Sequence, residues 1–308
     1  MPKFRSLAIL GPTASGKSSL AIKIAKKING EIIGLDSRQL YRFFEIGTAQ
    51  PSKKQLKEIN HYMIGCFDPY KSINAGENAK LTKKYINKIT SKGKIPIVCG
   101  GSGLYYRALT KGIFDQSSTD HKIRDSLDKQ YQNNGPYELL KKLKKIDPEY
   151  SRLIHPNNKK RLVRALEVFE ITGKPLSEHF KNQSNNKDYD FYSVLINWNE
   201  KFLLNRITHR VKKMLQDGWL DEVKNLMLNF EIDKIVPLDS LGYRDIIKYH
   251  NEEISLQDLE DKIILKTKQF SKKQLKWFKS EDINFTINID ENIESNEIVN
   301  MIINKFQN

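Results

Sequence analysis

Four apolar residues, Leu7 to Leu10, precede a polar, glycine-bearing turn, and apolar positions then recur at helical spacing at Leu20, Ile24 and Ile28. The alternation repeats along the chain. Apolar runs of strand length occur at Ile32 to Asp36, Ile95 to Cys99, Tyr192 to Ile196 and Phe285 to Ile289, and helix-period segments separate them. The pattern predicts an α/β fold, a parallel sheet flanked by helices on both faces. Between the third and fourth runs the chain is far longer than one crossover helix requires, with helical runs at 122–132, 137–145 and 160–172 broken at "NNGP" and "TGKP". We expect an inserted helical subdomain at 116–187, with 1–115 and 188–308 forming one core. After the fourth run, Leu203, Leu204, Ile207, Val211, Met214 and Leu215 repeat at helical spacing, which puts Arg206 and Arg210 on one stripe beside an apolar face.

The first turn carries chemistry. Gly11, Pro12, Thr13, Ala14, Ser15, Gly16, Lys17 and Ser18 match G-x-x-x-x-G-K-[ST] between a strand and a helix, the context a phosphate-binding P-loop needs. Its N–H groups and the helix dipole can cradle two phosphates, Lys17 adds a point charge, and the Ser18 hydroxyl can serve Mg²⁺. The expected fold is therefore P-loop NTPase-like. Ligands in such sheets bind at the carboxyl ends of strands. Three strand ends carry polar groups here: the P-loop, then Asp36, Ser37, Arg38 and Gln39, then Gly100-Gly101-Ser102-Gly103. Asp36, next to a P-loop, is on the residues alone either a Walker B type metal ligand or a proton acceptor.

Charge narrows the choice of partner. Fifty-two Lys and Arg against 37 Asp and Glu give a net charge of +15, which favours a polyanionic partner. Residues 141–164 hold nine basic and two acidic residues; residues 262–279 hold seven lysines and no acid, with Phe270, Trp277 and Phe278 interleaved as candidates for stacking on bases. Cys66 and Cys99 lack metal or disulfide spacing and are expected to be buried thiols. No apolar run approaches a membrane span and no secretory leader pattern follows "MPKFR", so a cytoplasmic protein without a membrane partner is expected, and a monomer.

Taken in order, "GPTASGKS", "DSRQLYRFFEIGTAQP", "GGSGLYYRAL", "HPNNKKRLVRALEV", "LGYRDI" and "TKQFSKKQLKWF" resemble the tRNA dimethylallyltransferases, or tRNA isopentenyltransferases, of bacterial type, from residue 11 to about 279. The resemblance implies transfer of a dimethylallyl group from dimethylallyl diphosphate to N6 of the adenosine on the 3′ side of the anticodon. It implies Asp36 as catalytic base, Ser102 where the family has a substrate-contacting threonine, and Arg210 beside the diphosphate. It further implies contacts to a tRNA anticodon stem-loop from Asp36, Ser37, Arg38, Gln39, Ser102, Arg124, Lys160, Arg161, Leu162, Val163 and Arg164, with Mg²⁺ at Ser18 as cofactor.

Several positions depart from the family pattern: Asn78 stands where an aromatic is usual, Asn158 replaces an aspartate, and Lys268 and Lys273 stand where arginines are common. Two residues also admit structural readings. Ser102 suits a tight strand-to-helix turn, and Arg124 stands one helical turn from both Asp120 and Asp128. Two other classes fit the P-loop: a small-molecule kinase, with Arg206 and Arg210 closing on a γ-phosphate, and a nucleic-acid-dependent ATPase, for which the Cys-Gly-Gly end of the third strand lacks the expected acids.

Overall fold

In the computed structural model, which describes residues 4–112, 120–181, 189–290 and 293–308, six strands form one parallel sheet: β1 (Phe4–Leu10), β2 (Gly30–Gly34), β3 (His61–Tyr62), β4 (Ile95–Gly100), β5 (Tyr189–Trp198) and β6 (Phe285–Ile289). Their order is β3-β2-β4-β1-β5-β6, and every pairing is parallel. The apolar run from Leu7 to Leu10 is fully buried, as a strand covered on both faces must be. Five of the six strands follow the hydrophobic runs. The sixth, β3, is two residues long and carries no pattern of its own, and β2 closes at Gly34, two residues short of the expected Asp36.

The chain divides into two compact units, residues 1–110 with 187–308, and residues 111–186. The first holds the sheet with α1 (Lys17–Lys27), α2 (Lys53–Glu58), α3 (Ala75–Thr90) and α4 (Gly103–Thr110). The second is helical among its described residues, with α5 (His121–Asn134), α6 (Pro136–Ile146), α7 (Pro148–Ser151), α8 (Lys159–Thr172) and α9 (Leu176–Lys181). Its core of Leu127, Leu139, Leu143, Leu162, Val163 and Leu166 is buried. The first unit resumes at β5 and adds α10 (Glu200–Gln216), α11 (Trp219–Asn229), α12 (Tyr243–His250), α13 (Leu256–Phe278) and α14 (Ser295–Gln307).

Because β2, β4 and β1 are neighbours in the sheet, the ends that carry polar residues lie side by side. The junction of β2 and β4 is tight. Leu35 N donates to Cys99 O at 2.8 Å, and a Cβ on Gly100 would fall 1.9 Å from Leu35 O, so only glycine fits there.

Candidate active site

The P-loop takes its shape from side chains packed outside it. Gly16 at φ +85° caps α1 in the left-handed region, and the first N–H groups of a helix lack intrahelical acceptors, as an anion site requires. Two loop carbonyls are held by neighbouring elements. Trp198 Nε1, at the end of β5, donates to Ser15 O at 2.9 Å, and Arg206 Nε, on α10, donates to Ala14 O at 2.8 Å. The Arg206 guanidinium also lies 4.4 Å over the Trp198 ring, so the two side chains brace the loop together. A third clamp comes from α13: Thr13 N donates to Gln274 Oε1 at 2.8 Å, and Gln274 Nε2 donates to Gly101 O at 2.9 Å. One amide thus ties the loop after β1 to the loop after β4. Of the expected phosphate ligands, Thr13 has its N–H taken by Gln274, and Ser15 has a buried hydroxyl without a protein partner.

Lys17 Nζ donates to Pro12 O at 3.1 Å. Burial lowers its pKa; the nearby Cys99 opposes that, Arg210 adds to it, and Asp36 opposes it. Burial also lowers Arg210, again with Asp36 opposing. Two cations facing one carboxylate across a crevice leave an unbalanced positive charge, which a diphosphate would neutralise. Cys99 is buried, and its thiol is pushed up to about 11 by burial, with Lys17 and a hydrogen bond to Ser18 pulling the other way. Cys66, by contrast with the expectation, is exposed, in the turn after β3 where its backbone N–H donates to Leu40 O.

Asp36 is half-buried just past β2. Its Oδ1 accepts from Arg38 N at 2.8 Å in an Asx turn, while no hydrogen bond engages Oδ2 among the described residues. Ser37 N donates to Ser102 Oγ at 3.1 Å, and Ser102 N approaches Leu35 O at 3.4 Å; Ser102 therefore braces the turn and still has its hydroxyl proton to give. Arg38 Nη1 reaches Val236 O at 3.3 Å. Gln39 Nε2 donates to Thr48 O and Ala49 O at 3.0 and 2.7 Å, so its amide nitrogen holds the following segment.

That segment forms one wall of a cavity of about 880 Å³. Ala14, Gly16, Arg206 and Arg210 face it from the P-loop side, with Ile46, Leu56 and Met214 supplying apolar surface. The wall is fixed by Glu222 on α11, whose carboxylate accepts from the N–H groups of Glu45, Ile46 and Gly47 at 2.8, 2.6 and 3.2 Å and from Tyr243 Oη at 2.7 Å. Among the described residues no three His, Cys, Asp or Glu side chains form a metal cluster. The exposed Ser18 hydroxyl is a hard oxygen donor of the kind Mg²⁺ takes beside water and phosphate oxygens.

A family model described as IPP transferase matches residues 39–281. The chain belongs to the IPP transferase family. It is 39% identical over 280 residues to the tRNA dimethylallyltransferase of Caldanaerobacter subterraneus subsp. tengcongensis, covering 89% of this chain and 88% of that one. Among solved structures, the full-length tRNA isopentenylpyrophosphate transferase of Bacillus halodurans matches with TM-score 0.71 at 30% identity, over 99% of this chain and 97% of that one. A eukaryotic dimethylallyltransferase acting on tRNA matches with TM-score 0.81 at 27% identity, over 94% and 74%.

In the helical unit the expected tRNA-binding residues fall into two groups. Lys160 and Arg161 are exposed, and no carboxylate pairs with them among the described residues. Leu162 and Val163 lie in the core of the unit, at 0% and 4% exposure, which leaves any contact with a ligand to their backbone. Arg124 and Arg164 both donate to Glu167 Oε2 at 2.8 Å, and Glu167 is itself fully buried. Arg124's partner is thus neither Asp120, which caps α5, nor Asp128, which pairs with Lys159 at 2.8 Å. Asn158 keeps a capping role, its Oδ1 accepting from Arg161 N at 3.4 Å.

The basic run on α13 also reads differently in three dimensions. Lys266 pairs with Asp245 at 2.7 Å and Lys272 with Glu200 at 2.7 Å, with Lys262 and Lys268 joining the same two acids at 3.6 and 3.5 Å. Phe278 is buried, and Trp277 lies under Arg107 at 4.6 Å and against Gly103. Of the three interleaved aromatics only Phe270 is exposed.

Proposed function

We propose that the chain transfers a dimethylallyl group from dimethylallyl diphosphate to N6 of the adenosine 3′-adjacent to the anticodon of a tRNA, giving N6-isopentenyladenosine and diphosphate. The observation that carries this reading is the half-buried Asp36 carboxylate, one oxygen oriented by Arg38 N and the other uncommitted, opposed to Lys17 and Arg210 beside a shaped P-loop.

An adenine N6 lone pair is delocalised into the ring and attacks carbon well only when its proton is removed as the new bond forms. Asp36 Oδ2 takes that proton as the C–N bond forms and the allylic C–O bond breaks. The electrons of that bond leave on the diphosphate, where charge accumulates and preorganised donors lower the barrier. Lys17, Arg210 and the N–H groups at the start of α1 supply them. Mg²⁺ held by Ser18 would add charge neutralisation on the diphosphate. The Ser102 hydroxyl, held beside Ser37, orients the acceptor. Ile46, Leu56 and Met214 accommodate the isoprenoid, which explains a P-loop that opens on apolar surface. The substrate adenosine must be unstacked to reach Asp36, and Lys160 and Arg161 bind phosphates of the anticodon stem-loop. A cytoplasmic monomer suffices, since every group named belongs to one chain.

Incubating purified protein with labelled dimethylallyl diphosphate or labelled ATP, with and without tRNA, tests the reading. Label should move from the isoprenoid donor to tRNA. Hydrolysis of ATP that depends on tRNA, with no prenyl transfer, would sink it.

A further inference from the structure

Phe43 is an outlier that the chemistry above does not use. Its φ is +70°, a region costly for a bulky L-residue, yet its ring is 52% exposed, so core burial does not offset the cost. Its neighbour Phe44 is fully buried against Tyr243 at 4.9 Å, which anchors the segment and leaves Phe43 turned outward. The Phe43 ring rests on Phe230 at 5.3 Å, and Phe230 meets Tyr70 at 6.1 Å. Tyr70 is 43% exposed, and its hydroxyl accepts from Glu231 N at 3.0 Å. The exposed Phe43 and Tyr70 thus flank the half-buried Phe230 in an aromatic ledge on the sheet-bearing unit.

The ledge adjoins the segment that carries Asp36. Arg38 reaches Val236 O, Val236 N donates to Pro69 O at 3.0 Å, and Arg42 N donates to Phe67 O at 3.0 Å. Residues 36–43, 67–70 and 230–236 therefore make one continuous surface. Cations and acids both stand on it: Arg42 is exposed and Lys71 Nζ lies 5.4 Å from the Phe67 ring, while Asp68 Oδ1 accepts from Tyr70 N at 2.9 Å and Glu231 pairs with Lys234 at 2.5 Å.

We infer that Phe43 is a stacking ledge for an unpaired base of the RNA acceptor, one that flanks the adenosine presented to Asp36. The inference rests on the tRNA-modifying function proposed above. Extracting one base from a loop unstacks its neighbours, and a flat ring with adjacent cations is the surface that receives such a base. The backbone conformation at residue 43 is what aims the ring outward.

Phe43→Gly separates this role from a structural one, because glycine adopts φ +70° without strain. We expect the variant to keep its thermal midpoint within a few degrees and its KM for the prenyl donor, while tRNA affinity falls about 5- to 150-fold, as removal of one base–aromatic stack should produce. The slope of log K against log salt should stay unchanged, since the variant keeps every cation that faces a phosphate. Phe43→Tyr should restore binding and Phe43→Leu should not. Stacking is read independently of transfer by quenching of 2-aminopurine placed beside the target adenosine in an anticodon stem-loop, present with parent and absent with Phe43→Gly. Unaltered RNA affinity and quenching in Phe43→Gly overturn the inference, as does full activity of Phe43→Leu. So does a parent dimer that Phe43→Gly dissociates without loss of RNA affinity, which makes the ledge an interface between copies. A parent protein that quenches but transfers no prenyl group refutes the function and leaves the ledge standing.

Discussion

Gln274 should set donor affinity although it touches no reacting atom. Gln274→Met keeps the length of the side chain and removes both of its hydrogen bonds, the one it accepts from Thr13 N at 2.8 Å and the one it donates to Gly101 O at 2.9 Å. Orphaning a buried backbone group costs about 1–3 kcal/mol. Because Gln274 is buried at 8% exposure, water reaches these groups poorly, and two such penalties at the lower bound sum to about 2 kcal/mol. For a core of this size that lowers the thermal midpoint by about 4–8 °C. The freed Thr13 amide lets the P-loop relax, so KM for dimethylallyl diphosphate should rise while tRNA affinity holds. Gln274→Glu gives an internal control. It retains an acceptor for Thr13 N, sets a carboxylate against Gly101 O, and adds negative charge next to the diphosphate, so it should weaken donor binding more than Gln274→Met. Differential scanning calorimetry and donor titrations at saturating tRNA measure both. An unchanged midpoint together with an unchanged donor KM in Gln274→Met would refute the clamp.

Asp36→Asn should lower single-turnover rates by roughly 10²–10⁴ with donor and tRNA bound within a few-fold; full rescue by raised Mg²⁺ would instead make Asp36 a metal ligand. Because burial lowers the pKa of Lys17, donor affinity should fall as pH rises through a value below the ordinary lysine range. Bound diphosphate should raise that value, so that kcat resists alkali better than kcat/KM; coincident profiles would contradict this. Changing Lys160 and Arg161 together to Ala should reduce the slope of log K against log salt for tRNA by about 0.7 for each phosphate no longer neutralised, and an unchanged slope would return both residues to ordinary solvated surface. Glu222→Gln, which replaces one acceptor oxygen by a donor facing the 45–47 amides, should raise donor KM with little effect on tRNA binding, and equal losses in both would point to general unfolding.

The parts of the site that are legible in the sequence are those built from neighbours in the chain. The P-loop announces itself because strand, turn and helix follow within some twenty residues, and five strands follow from their apolar runs. The clamps are illegible for the opposite reason: Trp198, Arg206 and Gln274 stand 183, 192 and 261 residues from the loop positions they hold. The lysines of α13 read as free charge because their partners, Asp245 and Glu200, lie outside the run. Leu162 and Val163 share a segment with basic neighbours along the chain, whereas the turn of α8 sends them to the core. β3 is too short to leave a periodicity, and the exposure of Cys66 depends on a turn that residue type alone does not specify.

The three P-loop clamps also have a consequence for the order in which the protein acquires its activity. All of them come from β5 or later, beyond the helical insertion. A nascent or truncated chain that stops before residue 189 therefore carries the entire G-x-x-x-x-G-K-S signature and none of the groups that give it shape. The shape of the loop, though not its signature, is thus set by residues far downstream, and a chain truncated before residue 189 should hold the loop less firmly than the full chain does.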